Sequence, residues 1–139
     1  MSFERDIIDF RNKSLVQVDR IRRGVILKLF SAVILDTPVQ TGLLRSNWQT
    51  SVGRPNDKVI STASQGGNAA MQEISSNLGM FGDDVHMTNN LPYARVAEYG
   101  LWNGPTAKVN AKGFSKKAPS GMMRKNVIRI KKHLKKLVK

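Results

Sequence analysis

Thr37-Pro38-Val39-Gln40-Thr41-Gly42-Leu43-Leu44-Arg45-Ser46-Asn47-Trp48 is the stretch at which this chain changes character. Proline disfavours the helical conformation in the residue before it, so Thr37-Pro38 ends whatever helix precedes. Gly42 supplies the flexible point, and if its φ is positive an alanine there would destabilise the protein. Leu43 to Val52 then reads as a strand. It carries Trp48, one of only two tryptophans in the chain, which is expected to be buried.

Working backwards, Ser2 to Leu35 contains no proline and repeats at helical period. Ile7, Phe10, Leu15, Val18, Ile21, Val25, Leu29, Ala32 and Leu35 fall mostly three or four residues apart, with Ser14 completing the stripe. Arg5, Arg11, Arg20, Arg22, Arg23 and Lys28 lie largely off it. A helix of about 30 residues spans roughly 45 Å, more than a small domain needs. Part of the stripe is therefore expected to face another subunit.

Working forwards, Asp57 to Ser64 reads as a second short strand after the turn Arg54-Pro55-Asn56-Asp57, and Gln65 to Asn68 as a loop. Met71, Ile74 and Leu78 place a short helix over 69–78. Gly79 and Gly82 flank a turn before a strand at Val85 to Thr88. Pro92 suits the first residue of a helix running Tyr93 to Tyr99 and closed by Gly100. Residues 101–120 are rich in Gly, Lys, Ala and Pro and read as a long mobile loop. Pro119-Ser120 opens a last helix, with Met123, Val127, Ile130, Leu134 and Leu137 on one stripe. The fold class expected is α+β, one domain over 1–139, with the N- and C-terminal helices packed on a small, mostly antiparallel sheet.

A chain of 139 residues with 40% hydrophobic and 6% aromatic content supports one modest core built on Ile, Leu, Val and Met. It has no cysteine, which removes disulfides and thiolate metal sites. No apolar run approaches the roughly 18 residues of a membrane span. The N-terminus lacks the pattern of a signal peptide, so a soluble protein made in the cytoplasm is expected. The net charge of +13 is unevenly placed. Residues 1–98 hold 11 basic and 10 acidic side chains, whereas residues 99–139 hold 12 basic and none acidic.

Few groups suggest chemistry. Asp83, Asp84 and His86 have no second histidine beside them, and acid–base or zinc work needs convergent groups. Gly66-Gly67-Asn68 precedes a helix but lacks the lysine of a phosphate loop. No Gly-x-Ser-x-Gly turn is present. Catalytic, cofactor and metal residues are accordingly expected to be absent. Glu98, the last acid in the chain, is placed to cap or pair with a basic group of the final third or of a neighbouring subunit. That cationic third, through Lys108, Lys112, Lys116, Lys117, Arg124 and Lys125, suits a solvated helix or contact with a partner. It also suits nucleic-acid phosphates, which it would track without reading bases. It lacks the interfacial aromatics of a membrane-surface helix.

Two segments together resemble a known family. The opening stretch, through Thr37, Pro38, Val39, Thr41, Gly42, Leu44, Arg45 and Trp48, is followed by Asn89, Asn90, Tyr93, Ala94, Glu98, Tyr99 and Gly100. Ala118, Pro119, Gly121, Met122 and Arg124 then precede the final helix. In this order they resemble the neck and tail-completion (head–tail joining, minor tail) proteins of long-tailed bacteriophages. The resemblance implies an α+β subunit that forms a ring, commonly of six. The ring would bind a head connector or tail-terminator ring around the exiting DNA, within the virion. It implies no catalytic residue and no cofactor. Leu101 to Lys117 is longer and more basic than the link expected in that family. The runner-up is a nucleic-acid-binding protein without sequence preference, working through the basic C-terminal third.

Overall fold

A computed structural model describes residues 2–138, with side chains over 2–136. Its first element, α1 (Phe3–Asp36), is 34 residues long. The Ser2 hydroxyl accepts from the Arg5 N–H at 3.3 Å, and Glu4 and Asp6 sit in the first turn, where carboxylates favour the helix dipole. Thr37 takes an extended conformation and stops it, as Pro38 requires. Then follow α2 (Leu43–Ser46), β1 (Trp48–Val52), α3 (Asn68–Ser76), β2 (Val85–Asn89), α4 (Pro92–Tyr99) and α5 (Met123–Val138).

The fold is α+β: the long N-terminal helix and the C-terminal helix accompany a two-stranded antiparallel sheet. The register runs from Trp48 opposite Asn89 to Val52 opposite Val85. α1 packs on α3 and α5, and α3 packs on β1. Val33, Ile34, Ile74 and Met122 are fully enclosed at the centre, with Phe30, Leu44, Trp48 and Leu78 around them.

Four expectations are corrected. The strand expected from Leu43 begins only at Trp48, because Gly42 starts one helical turn, α2, whose Ser46 N–H donates to the Gly42 carbonyl. The strand expected over 57–64 does not form. Side-chain amides take the place of a backbone ladder there: Asn47 donates to the Ile60 carbonyl and accepts from the Ile60 N–H, at 2.9 and 2.7 Å, and Gln49 donates to the Lys58 carbonyl at 2.7 Å. Both amides are buried, so this pairing also satisfies them. The last helix opens at Met123, not at Pro119. Leu137, expected on its stripe, lies outside the described side chains.

The fourth correction concerns α1. Its core face is Phe30, Val33 and Ile34, with Ile26 and Leu27 packed beside them, and of the expected stripe only Leu29 joins that packing. Ile7, Phe10, Val18, Ile21 and Leu35 lie exposed on roughly the opposite face. α1 therefore carries two apolar arcs, and its own core uses the other one.

The 101–120 segment is also more ordered than its composition suggests. It folds back on itself: the Asn110 N–H donates to the Phe114 carbonyl at 2.8 Å and the Lys116 N–H to the Lys108 carbonyl at 2.9 Å, around a Val109–Ser115 bridge.

Candidate functional site

The first motif is a helix-ending device. The Thr37 hydroxyl donates to the Val33 carbonyl, and the Trp48 indole N–H donates to the same hydroxyl, both at 2.7 Å. Arg45 reaches back to the carbonyls of Leu35 and Thr37 at 2.9 and 3.0 Å and to that of Gln65 at 2.8 Å. Carbonyls at the end of α1 that have no partner within the helix are satisfied in this way. Gly42 has φ +92°, and a Cβ there would run into the backbone of Ser64 and Gln65. Trp48 is 6% exposed, as its sequence position suggested.

The second motif is a helix-starting device. The Glu98 carboxylate accepts from the N–H groups of Met122, Met123 and Arg124 at 2.7–2.9 Å, and from the Arg124 guanidinium at 3.0 Å. It thus caps the N-terminus of α5 from a different helix. Burial pushes its pKa up, but the backbone donors of Met123, Arg124 and Met122 and the guanidinium outweigh burial, so the carboxyl ionises below its ordinary range. Gly121, at φ +80°, brings the chain against the Glu98 carbonyl and carboxylate, and a side chain there would collide with both. Pro119 bridges to Gly121 in the turn before α5, and Gly100 closes α4 in the left-handed conformation. The two motifs meet where the Asn89 amide donates to the Leu44 carbonyl at 2.8 Å.

Beside this junction lies a cleft of about 1060 Å³. Pro38, Val39, Thr41, Gly42, Leu43 and Leu44 line it along one segment of chain. Tyr93, Trp102 and Val109 close the apolar side, and Lys108, Lys116 and Lys117 line the basic rim. Among the described residues, no carboxylate lines it. The Lys117 ammonium donates to the Val39 carbonyl at 3.1 Å, which fastens the basic loop across the 38–44 segment.

Nine residues singled out from sequence therefore converge here: Pro38, Val39, Thr41, Gly42, Leu44, Tyr93, Lys108, Lys116 and Lys117. Trp48, Glu98, Gly100, Pro119 and Gly121 serve the fold instead. Lys112 is exposed on the loop but away from the cleft lining. Arg124 pairs with Glu98 and stands over the Tyr99 ring at 4.4 Å, while Lys125 pairs with Asp36 at 3.5 Å. These two cations are held within the chain rather than displayed with the loop lysines. Asp83 accepts from the Met80 N–H at 2.7 Å as a turn carboxylate, and His86 sits in β2 opposite Ser51. The cleft uses of Trp102, Val109 and Leu43 had no sequence signal beyond tryptophan's scarcity.

Chemically, the arrangement is a holding site: apolar walls for inserted side chains, and cations for anionic groups beside them. Compared with family models, with curated proteins and with solved structures, the chain matches none.

Proposed function

We propose that this chain is a bacteriophage virion structural protein of the head–tail junction. In this reading it is a neck or tail-completion subunit that assembles as a ring and joins the tail to the head connector around the DNA path. The reading comes from the two-motif resemblance, and one observation carries it. The first half of α1 stands outside the fold, with Phe3, Ile7, Phe10, Val18 and Ile21 each about half or more exposed. A monomer gains nothing from such an arm; a subunit that fits between copies of itself and neighbouring virion parts does.

Deleting the protein from such a phage is expected to leave unjoined heads and tails, or defective tails, in negative-stain images. Normal infectious particles would refute the assignment. Weighing the purified protein alone and with the products of neighbouring genes identifies the ring and its partner.

A second reading has its own support: Lys131, Lys132, Lys135 and Lys136 are exposed along α5, and Lys108, Lys112 and Lys116 along the loop. These would bind duplex DNA through phosphates, with affinity falling steeply as salt rises. Binding that is absent or indifferent to salt excludes it.

A further inference from the structure

We propose that the cleft receives the first turns of α1 from an adjacent copy of this chain. Phe3, Ile7 and Phe10 enter between its apolar walls, while Glu4, Asp6 and Asp9 meet Lys108, Lys116 and Lys117. The proposal rests on the self-association in the reading above, not on its place in a virion.

Three observations converge on this occupant. The first is sign. Within residues 3–10, Glu4, Asp6 and Asp9 outnumber Arg5; all four are exposed, and among the described residues none of the three acids pairs with a cation of its own chain. Among the described residues, the charged groups that line the cleft are all cations. The second is shape. Phe3, Ile7 and Phe10 share one helix face at spacings of four and three, and Phe3 and Phe10 are 78% and 74% exposed. Each such ring has ~150–250 Å² to bury, and Leu43, Tyr93, Trp102 and Val109 offer partly covered apolar surface to receive it.

The third is reach. The cleft adjoins the C-terminal end of α1, and at 1.5 Å per residue the acidic tip lies about 50 Å from that end. An unbroken helix cannot bring its tip to its own cleft, so the contact joins two copies. It also joins opposite ends of the subunit, which makes it heterologous. Repetition then closes a ring or extends a filament.

The chain contains no cysteine, so single cysteines report this contact cleanly. Ile7→Cys protein is mixed with Val109→Cys protein and oxidised mildly. A disulfide-linked pair is expected from the mixture and from neither protein alone. Lys108→Glu/Lys116→Glu in the second partner should lower the yield about tenfold or more at low salt, because like charges then face each other. Glu4→Lys/Asp6→Lys in the first partner should restore it. Self-linking of Ile7→Cys would mean that the arms pair with each other, and overturns the proposal. So does an oligomer by mass without the 7–109 link. A monomer with no link at all overturns it too, and leaves the head–tail assignment to its own particle assay.

Discussion

Between Ile26 and Ile34, α1 turns nearly every large apolar side chain into the core it shares with α3 and α5. Between Phe3 and Ile21 the same helix leaves eight of them 41–78% exposed. Both stretches place apolar residues at helical spacing, although 26–34 is the richer in them, so periodicity alone cannot say whose core a stripe belongs to. What separates them is the rest of the chain. Arg22 ties α1 to the segment just after α3 through the carbonyls of Leu78 and Gly79 at 2.8 and 3.1 Å, and the body stops there. Upstream, helix formation relies on continuity with the docked half and on the Ser2 cap, since isolated helices of this length are marginal. Amide exchange should draw that boundary, with protection high over 26–34 and low before residue 20.

The largest effect belongs to the docked end. Trp48→Ala removes a buried ring and the donor that holds Thr37, and should cost about 3–5 kcal/mol by denaturant unfolding. An unchanged midpoint would mean that the motif does not anchor the end of α1.

Glu98 comes next. Glu98→Gln keeps the shape but weakens a cap that satisfies three N–H groups and a guanidinium, at a cost of about 2–3 kcal/mol near neutral pH. The sign with pH follows from its lowered folded-state pKa. Its contribution is complete above the ordinary carboxylate range and is lost as pH falls through the lower folded value. The variant should therefore lose less stability on acidification than the parent does. Identical acid limbs would remove Glu98 as a source of the acid sensitivity.

These two cases show what was legible. Pro38, Gly42, Pro92 and Gly100 act through backbone geometry, which a residue type declares by itself, so the ends of α1 and α4 could be read directly. The 57–64 segment could not. Its Lys58-Val59-Ile60-Ser61-Thr62 run after a turn looks like a strand, but the Asn47 and Gln49 amides occupy the ladder positions, and that competition exists only once β1 is placed. The cleft was legible as residues but not as a place: Lys108 and Pro38 are seventy positions apart and line one cleft, where Lys117 also fastens the loop to Val39. Glu98 could be named as a cap or an ion pair, and it is both.

A smaller loss is expected at Gly42. Alanine there must hold a positive φ and displace Ser64 and Gln65, so Gly42→Ala should cost about 1–3 kcal/mol. It should also disturb the cleft wall. Cross-linking between residues 7 and 109 should then weaken even where the variant remains folded, which links the backbone turn to the contact.

The smallest expected effect on folding makes the sharpest test of the contrast within α1. Phe10 is 74% exposed and takes no part in the core, so Phe10→Ser should change the unfolding free energy of the dilute protein by no more than about 0.5 kcal/mol. Association is a different matter, because Phe10 is one of the three side chains assigned to the neighbour's cleft. The parent's Tm should rise with protein concentration, as any species stabilised by self-binding requires, and the rise should vanish in the variant. A Phe10→Ser protein that unfolds several degrees earlier at low concentration would place this residue in a core of its own chain. One that keeps the concentration dependence would leave the arm without its assigned role. Only a protein unaltered alone and altered in company fits a helix whose two ends serve two different molecules.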